Sequence, residues 1–172
     1  FDFNKNKFNH VTQSLRQPGS SFKPFIYAAA LSKGLTPATL INDAPLIIST
    51  KDTGFIQWDP QNYDQKFNNF MSMRNALTLS KNLVSIRILQ NITPSFAKSY
   101  IKKFGFDPKK HPPYLTLALG AGTVSPLKLA SAYAIFANGG YKIHPHFIRK
   151  IEDANGNILA KVNFPKKNYS ST

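Results

Sequence analysis

The sequence predicts an α+β domain in which helical and extended segments are segregated along the chain, and three observations carry that reading. An alanine-rich helical stretch follows Pro18-Gly19, further helices open on a Ser or Thr set just before an apolar run, and the last third changes from a helical period to an extended one. At 172 residues and 42% hydrophobic content the chain is long enough for one compact core and short for two. Residues 1–172 are therefore read as a single domain or a large piece of one.

Taken in order, residues 1–15 set Phe1, Phe3 and later Phe8 among polar residues, which suits the end of a strand followed by irregular chain. A helix is expected from about Ser20 to Lys33, stopped by Gly34. From Leu35 to Phe70 the strings TPAT, NDAP, KDTG and DPQNYD are turn chemistry, with short strands expected near Leu46–Ser49 and Phe55–Trp58. A loop this long is ordinarily functional. Ser72 is a candidate N-cap for a helix to Leu79, and a second run from Leu83 to Gln90 follows a joint made of Ser80, Lys81 and Asn82. Thr93-Pro94 opens a helix ending at Gly105, and Ser125-Pro126 opens another ending at Gly139-Gly140. Leu129, Ala130, Tyr133, Ala134 and Phe136 make that last helix a predicted core element. YKIHPHFIRKIED, the turn residues Asn155 and Gly156, and ILAKV predict a closing hairpin.

Composition removes several functions. There are no cysteines, so disulfides, thiol catalysis and Cys-type zinc sites are excluded. No run approaches the roughly 18 to 20 apolar residues of a membrane span, and FDFNKNKFNH is too polar for a signal peptide. The net charge of +14 favours anionic partners, but the lysines are scattered and no base-reading motif accompanies them, so no nucleic acid partner is predicted. GAGT at 120–123 lacks the Gly-Lys-Ser/Thr of a phosphate loop, and His144 and His146 have no evident third ligand, so neither a cofactor nor a metal is expected.

The informative stretch is RQPGSSFKPF at 16–25, which sets Ser20 and Lys23 one turn apart at a helix start. A plain N-cap would account for Ser20 alone. It does not account for Lys23, since a cation is disfavoured in a first turn, nor for Pro24, which cannot donate a backbone bond to the Ser20 carbonyl. A lysine so placed becomes useful if it loses its proton, because a neutral amine beside a hydroxyl is a general base that makes serine a nucleophile. Ser80 and Asn82 add a second hydroxyl and a carboxamide from a rigid corner. Trp58, Asn62 and Tyr63 either line the cleft as substrate-binding residues or pack the long loop down.

RQPGSSFKPFIYAAAL, then GLTPAT, Asn42-Asp43 with Pro45, QNYDQKF, SKN and LALGAGTVSPLKLASAYAIFANGG together resemble the transpeptidase domain of class A penicillin-binding proteins. The likeness runs from about Phe1 to Lys161. It implies the penicillin-binding transpeptidase fold, similar to that of serine β-lactamases, with mostly the helical part and edge strands present and the central sheet incomplete. It implies that Ser20 attacks the peptide bond before the terminal D-alanine of a peptidoglycan stem peptide, giving an acyl-enzyme that a neighbouring strand's amine resolves into a crosslink. Lys23 would be the base, Ser80 would relay a proton to the leaving amine, and Asn82 would bind substrate amide. β-Lactams would acylate the same serine. The resemblance also implies the extracytoplasmic, periplasmic face of the bacterial inner membrane, with a membrane anchor and a glycosyltransferase domain outside this stretch.

One motif of the family is missing. Lys-Thr-Gly or Lys-Ser-Gly should follow on a cleft strand, and KDTG at 51–54 has an extra residue and precedes SKN. Truncation before that motif is expected, with part of the oxyanion hole lost and little turnover from this piece alone; one missing donor costs ~2.7 to 4 kcal/mol. A β-lactamase-like hydrolase is the weaker alternative because it needs a glutamate for deacylation, and Glu152, the one glutamate, lies in the terminal hairpin. A non-catalytic sensor that binds β-lactam or peptide is the other.

Overall fold

The computed structural model describes residues 2, 4–55 and 57–162. The strand end expected at Phe1 and Phe3 lies outside them. Five helices and two small sheets are described: α1 Lys23–Ser32, β1 Leu40–Asp43, β2 Asn69–Ser72, α2 Met73–Thr78, α3 Asn82–Ile92, α4 Pro94–Tyr100, α5 Pro126–Ala137, β3 Lys150–Glu152 and β4 Ile158–Lys161. Helices form the bulk and the strands sit at the periphery, so the α+β reading holds.

The centre is α1 against α3. Phe25, Ile26, Ala29 and Ala30 of α1 and Leu83, Val84, Ile86, Ile88 and Leu89 of α3 are fully buried. Each large apolar side chain taken out of water contributes about 1.5 to 3 kcal/mol, so this pair is the stable platform of the molecule. Phe25 is the aromatic hub, with ring centroids of Phe22, Phe104, Phe106, Tyr133 and Phe136 between 4.8 and 5.5 Å away.

Three of the expected caps are present. Ser72 Oγ accepts from Asn75 N at 3.3 Å, Thr93 Oγ1 from Phe96 N at 3.3 Å, and Ser125 Oγ from Lys128 N at 3.4 Å. Each relieves one orphan N–H of a first turn. Gly105, with φ of +80°, closes a 3-10 turn over Ile101–Phe104 that extends α4.

Four expectations need correction. The helix at Ser20 begins as a 3-10 turn over Gly19–Phe22, and α1 proper starts at Lys23. The strands expected at Leu46–Ser49 and at the described residues of Phe55–Trp58 do not form; β1 pairs antiparallel with β2 instead, Leu40 opposite Ser72 through Asp43 opposite Asn69. LIND and NFMS are poor strand sequences by propensity, and pairing with each other across the long loop overrides that. In α5 only Ala132 and Ile135 are buried, while Tyr133 and Phe136 are 36% and 45% exposed. Large apolar residues of that helix therefore remain on a face that the other described elements do not cover. In the hairpin, pairing starts at Lys150 rather than along the whole 141–153 run, and Asp153 braces the turn by accepting from Asn155 N and Asn157 N at 2.9 and 2.8 Å.

Candidate active site

Pro24 explains the local backbone around Ser20. It has no N–H to give the Ser20 carbonyl, so Lys23 N donates to Ser20 O instead, closing a 3-10 turn immediately ahead of α1. Ser20 is thereby presented on an exposed turn, not as a cap, and Lys23 becomes the first residue of a buried helix. Gly19 takes φ of +58° to enter the turn. A Cβ on Gly120 would collide with Gly19's backbone, so the GAGT segment supports the turn by direct backbone contact.

Lys23 is 1% exposed. Its Nζ donates to Ser80 O at 2.6 Å, Ser80 Oγ at 3.0 Å and Asn82 Oδ1 at 2.7 Å. Those acceptors match the three N–H bonds of an ammonium. Burial nevertheless dominates and pulls its pKa from 10.5 down to about 8. At pH 7 about one lysine in ten is then neutral, against roughly one in three thousand without the shift. No hydrogen bond joins Ser20 Oγ to Lys23 Nζ among the described residues; the lysine's partners lie across the cleft, in the Ser80–Asn82 corner.

That corner is strained in an informative way. Ser80 N donates to Leu77 O at 3.0 Å and Lys81 N to Ala76 O at 2.9 Å, the Schellman pattern that ends a helix on a left-handed residue. Glycine ordinarily fills that position, and here Ser80 does, at φ of +53°. A non-glycine residue there costs roughly 1 to 2 kcal/mol, which marks a place where a side chain is worth more than relaxed backbone. The hydroxyl and the carbonyl of Ser80 both face Lys23.

Asn82 opens α3. Its Nδ2 donates to Gln61 O at 2.7 Å while its Oδ1 accepts from Lys23, so the amide orientation is fixed from both ends. Of the loop residues singled out in the sequence, Asn62 is 3% exposed and its amide is committed to protein partners, Trp58 packs partly buried against the core, and Tyr63 is 99% exposed. Packing the loop is what the contacts of Asn62 and Trp58 support; Tyr63 is free to meet a ligand. Sequence reasoning missed Asp43 and Lys81, both buried beneath the corner. A lysine between two functional residues of a tripeptide reads as solvated, and only the fold reveals its carboxylate partners.

A serine thus stands on a forced turn three residues before a buried lysine with a lowered pKa, and a hydroxyl and a carboxamide converge on that lysine. The family model of the penicillin binding protein transpeptidase domain matches residues 1–172. The chain belongs to the penicillin-binding protein transpeptidase family. It is 49% identical over 162 residues to penicillin-binding protein 1A of Neisseria flavescens, which covers 94% of this chain and 20% of that protein. Among solved structures, penicillin-binding protein 1A from Haemophilus influenzae superposes with a TM-score of 0.87 at 42% identity, covering 94% of this chain and 24% of the other. The PonA1 protein of Mycobacterium tuberculosis in complex with penicillin V gives 0.77 at 27% identity, over 91% of this chain and 43% of the other. The chain thus spans about a fifth of the length of the curated relatives it matches.

Proposed function

We propose that the chain carries the nucleophile and proton-transfer half of a D,D-transpeptidase site that crosslinks peptidoglycan. The observation that carries this reading is the buried Lys23, tied to Ser80 and Asn82 and pulled toward neutrality. Neutral Lys23 takes the proton as Ser20 Oγ attacks the carbonyl that precedes the terminal D-alanine. The bond to that D-alanine's nitrogen breaks, and a proton delivered through Ser80 Oγ neutralises the leaving amine. An amine from a neighbouring stem peptide then attacks the acyl-Ser20 ester, forming the crosslink and releasing the serine. Asn82 binds substrate amide, and Tyr63, exposed on the same loop as Gln61, is the loop residue available for contact with substrate.

β-Lactams acylate the same serine in this reading, which is supported by the M. tuberculosis relative's structure in complex with penicillin V. We assign 1–172 to part of a transpeptidase domain, and the exposed apolar face of α5 supports further packing there. Among the described residues no helix is long and apolar enough to cross a membrane. We also propose placement on the periplasmic side, with an anchor and a glycosyltransferase domain elsewhere in the protein, a reading supported by the likeness to penicillin-binding protein 1A. Glu152, on the exposed hairpin and bonded to Lys150 at 2.7 Å, offers little to a hydrolytic alternative.

The test is fluorescent penicillin on the full-length protein, followed by mass mapping. Label is expected on the peptide that contains Ser20, lost in Ser20→Ala, and formed faster as pH rises, with its midpoint at about 8 and its plateau above that. A folded protein that takes no label at Ser20 defeats the assignment.

A further inference from the structure

Beneath the Ser80–Asn82 corner lies a buried polar cluster that the acyl-transfer steps do not use. Asp43, fully buried at the end of β1, accepts from Asn62 Nδ2 at 2.6 Å and from Asn68 N at 3.2 Å. Asn62 Nδ2 also donates to Lys66 O at 2.9 Å, and Asn62 Oδ1 accepts from Asn82 N at 2.9 Å and Leu83 N at 3.3 Å. The first two N–H groups of α3 are therefore capped by a residue twenty positions upstream, while Lys81, the residue at the cap position, makes no side-chain cap. Lys81 Nζ turns inward to Asp64 at 2.8 Å, Asp43 at 3.4 Å and Lys66 O at 3.3 Å.

We propose that Asn62 and Lys81, anchored on the buried Asp43 carboxylate, are positioning residues for acylation: they lock the amino end of α3 and thereby hold Ser80 and Asn82 against Lys23. The inference rests on the transpeptidase reading of Ser20 and Lys23 and extends it to side chains that act only through the corner.

Three features give the cluster that role. Ser80 sits in the left-handed region between Leu79 and Lys81, and a strained residue persists only when its neighbours over-determine it. Lys81 supplies one anchor through its backbone bond to Ala76 and its ion pairs. Asn62 supplies the other: its four hydrogen bonds are all made, so it cannot move without leaving buried donors or acceptors unmatched, which costs more than one bond gains. Gln61, its chain neighbour, holds the Asn82 side chain, so one short loop fixes both the backbone and the amide of Asn82. The cluster thus sets the distance at which Lys23 finds its acceptors.

The experiment compares wild type with Asn62→Ala in the full-length protein, reading the rate of acylation by fluorescent penicillin across pH and the titration of Lys23 Nζ by NMR. Removing the cap should slow acylation about tenfold or more and move both the pH midpoint and the Lys23 titration by about half a pH unit or more. Ile88→Val, on the buried side of the same helix, serves as the control: it lowers thermal stability and leaves both readings in place. If Asn62→Ala lowers stability but keeps the wild-type rate and midpoint, Asn62 only staples its loop and the proposal is overturned. Should Asn62→Ala fail to fold, Asn62→Ser, which retains an oxygen acceptor, is read the same way against the same criteria. A wild type that folds and takes no label defeats the transpeptidase reading instead, and the Lys23 titration in the variants still decides this one.

Discussion

The two segments that meet at Lys23 are held by different physics. The turn carrying Ser20 rests on packing: Gly120 lies against Gly19, and Phe22 is buried against the rings of His111 and Phe106 at 5.0 and 5.1 Å. Arg16 and Val124 pair their backbones beside it, at 3.1 and 3.0 Å. The opposite corner rests on charge and hydrogen bonds, through Asp43, Asn62, Lys81 and Asp64. Packing contacts fail over fractions of an ångström. A buried polar cluster fails when one member is lost, because the others are left unpaired in a poor solvent. Under the proposed transpeptidase reading, with Ser20 on the packed side and the groups that bond Lys23 on the polar side, the position of the attacking atom and the basicity of Lys23 are set independently.

That separation can be attacked from either side. Gly120→Ala is expected to do the most damage: its φ of +78° costs an alanine about 1 to 2 kcal/mol, and forcing a methyl into Gly19's backbone adds roughly 1 to 3 more. A stability loss of about 4 kcal/mol in urea denaturation should accompany slow acylation with the Lys23 titration still near 8. Lys81→Met breaks the other wall. It strands the buried Asp43 carboxylate, and about 3 kcal/mol is expected, the low end for a broken buried pair because Asp64 is half exposed. Here the Lys23 titration should move along with the rate. Opposite results, with Gly120→Ala shifting the titration and Lys81→Met leaving it, would show that the two walls are one mechanical unit.

The same division governs what the sequence revealed. The meeting of Lys23 with Ser80 and Asn82 was legible because the sequence breaks local rules there, with a cation and a proline in a first turn and a Ser-Lys-Asn joint between two helical runs. Helix starts were legible because Ser72, Thr93 and Ser125 cap locally. Pairing of β1 with β2 was not, since it joins residues about thirty apart whose local propensities argue against strands. Asn62 was noticed without its role, because its partners lie up to twenty-one residues away in Asp43, Asn82 and Leu83. The exposure of α5 also escaped the pattern: a helix rich in apolar residues reads as core whether or not something covers its second face.

The smallest expected effect comes from a side-chain hydrogen bond on the packed side. Tyr133 Oη donates to Ser21 O at 2.6 Å, linking α5 to the residue next to Ser20. Tyr133→Phe keeps the ring against Phe25, at 5.2 Å, and removes only the hydroxyl. Ser21 O is near enough to solvent for water to replace part of the lost bond, so about 1 kcal/mol is expected, a fall in melting temperature of roughly 2 to 4 °C for a chain of this size. Acylation should slow only severalfold, since Gly120 and Phe22 still define the turn, and its pH midpoint should stay at the wild-type value. A shifted midpoint from a hydroxyl that touches neither Lys23 nor the Ser80–Asn82 corner would mean that the position of Ser20 itself tunes the lysine, and the two walls would have to be treated as coupled.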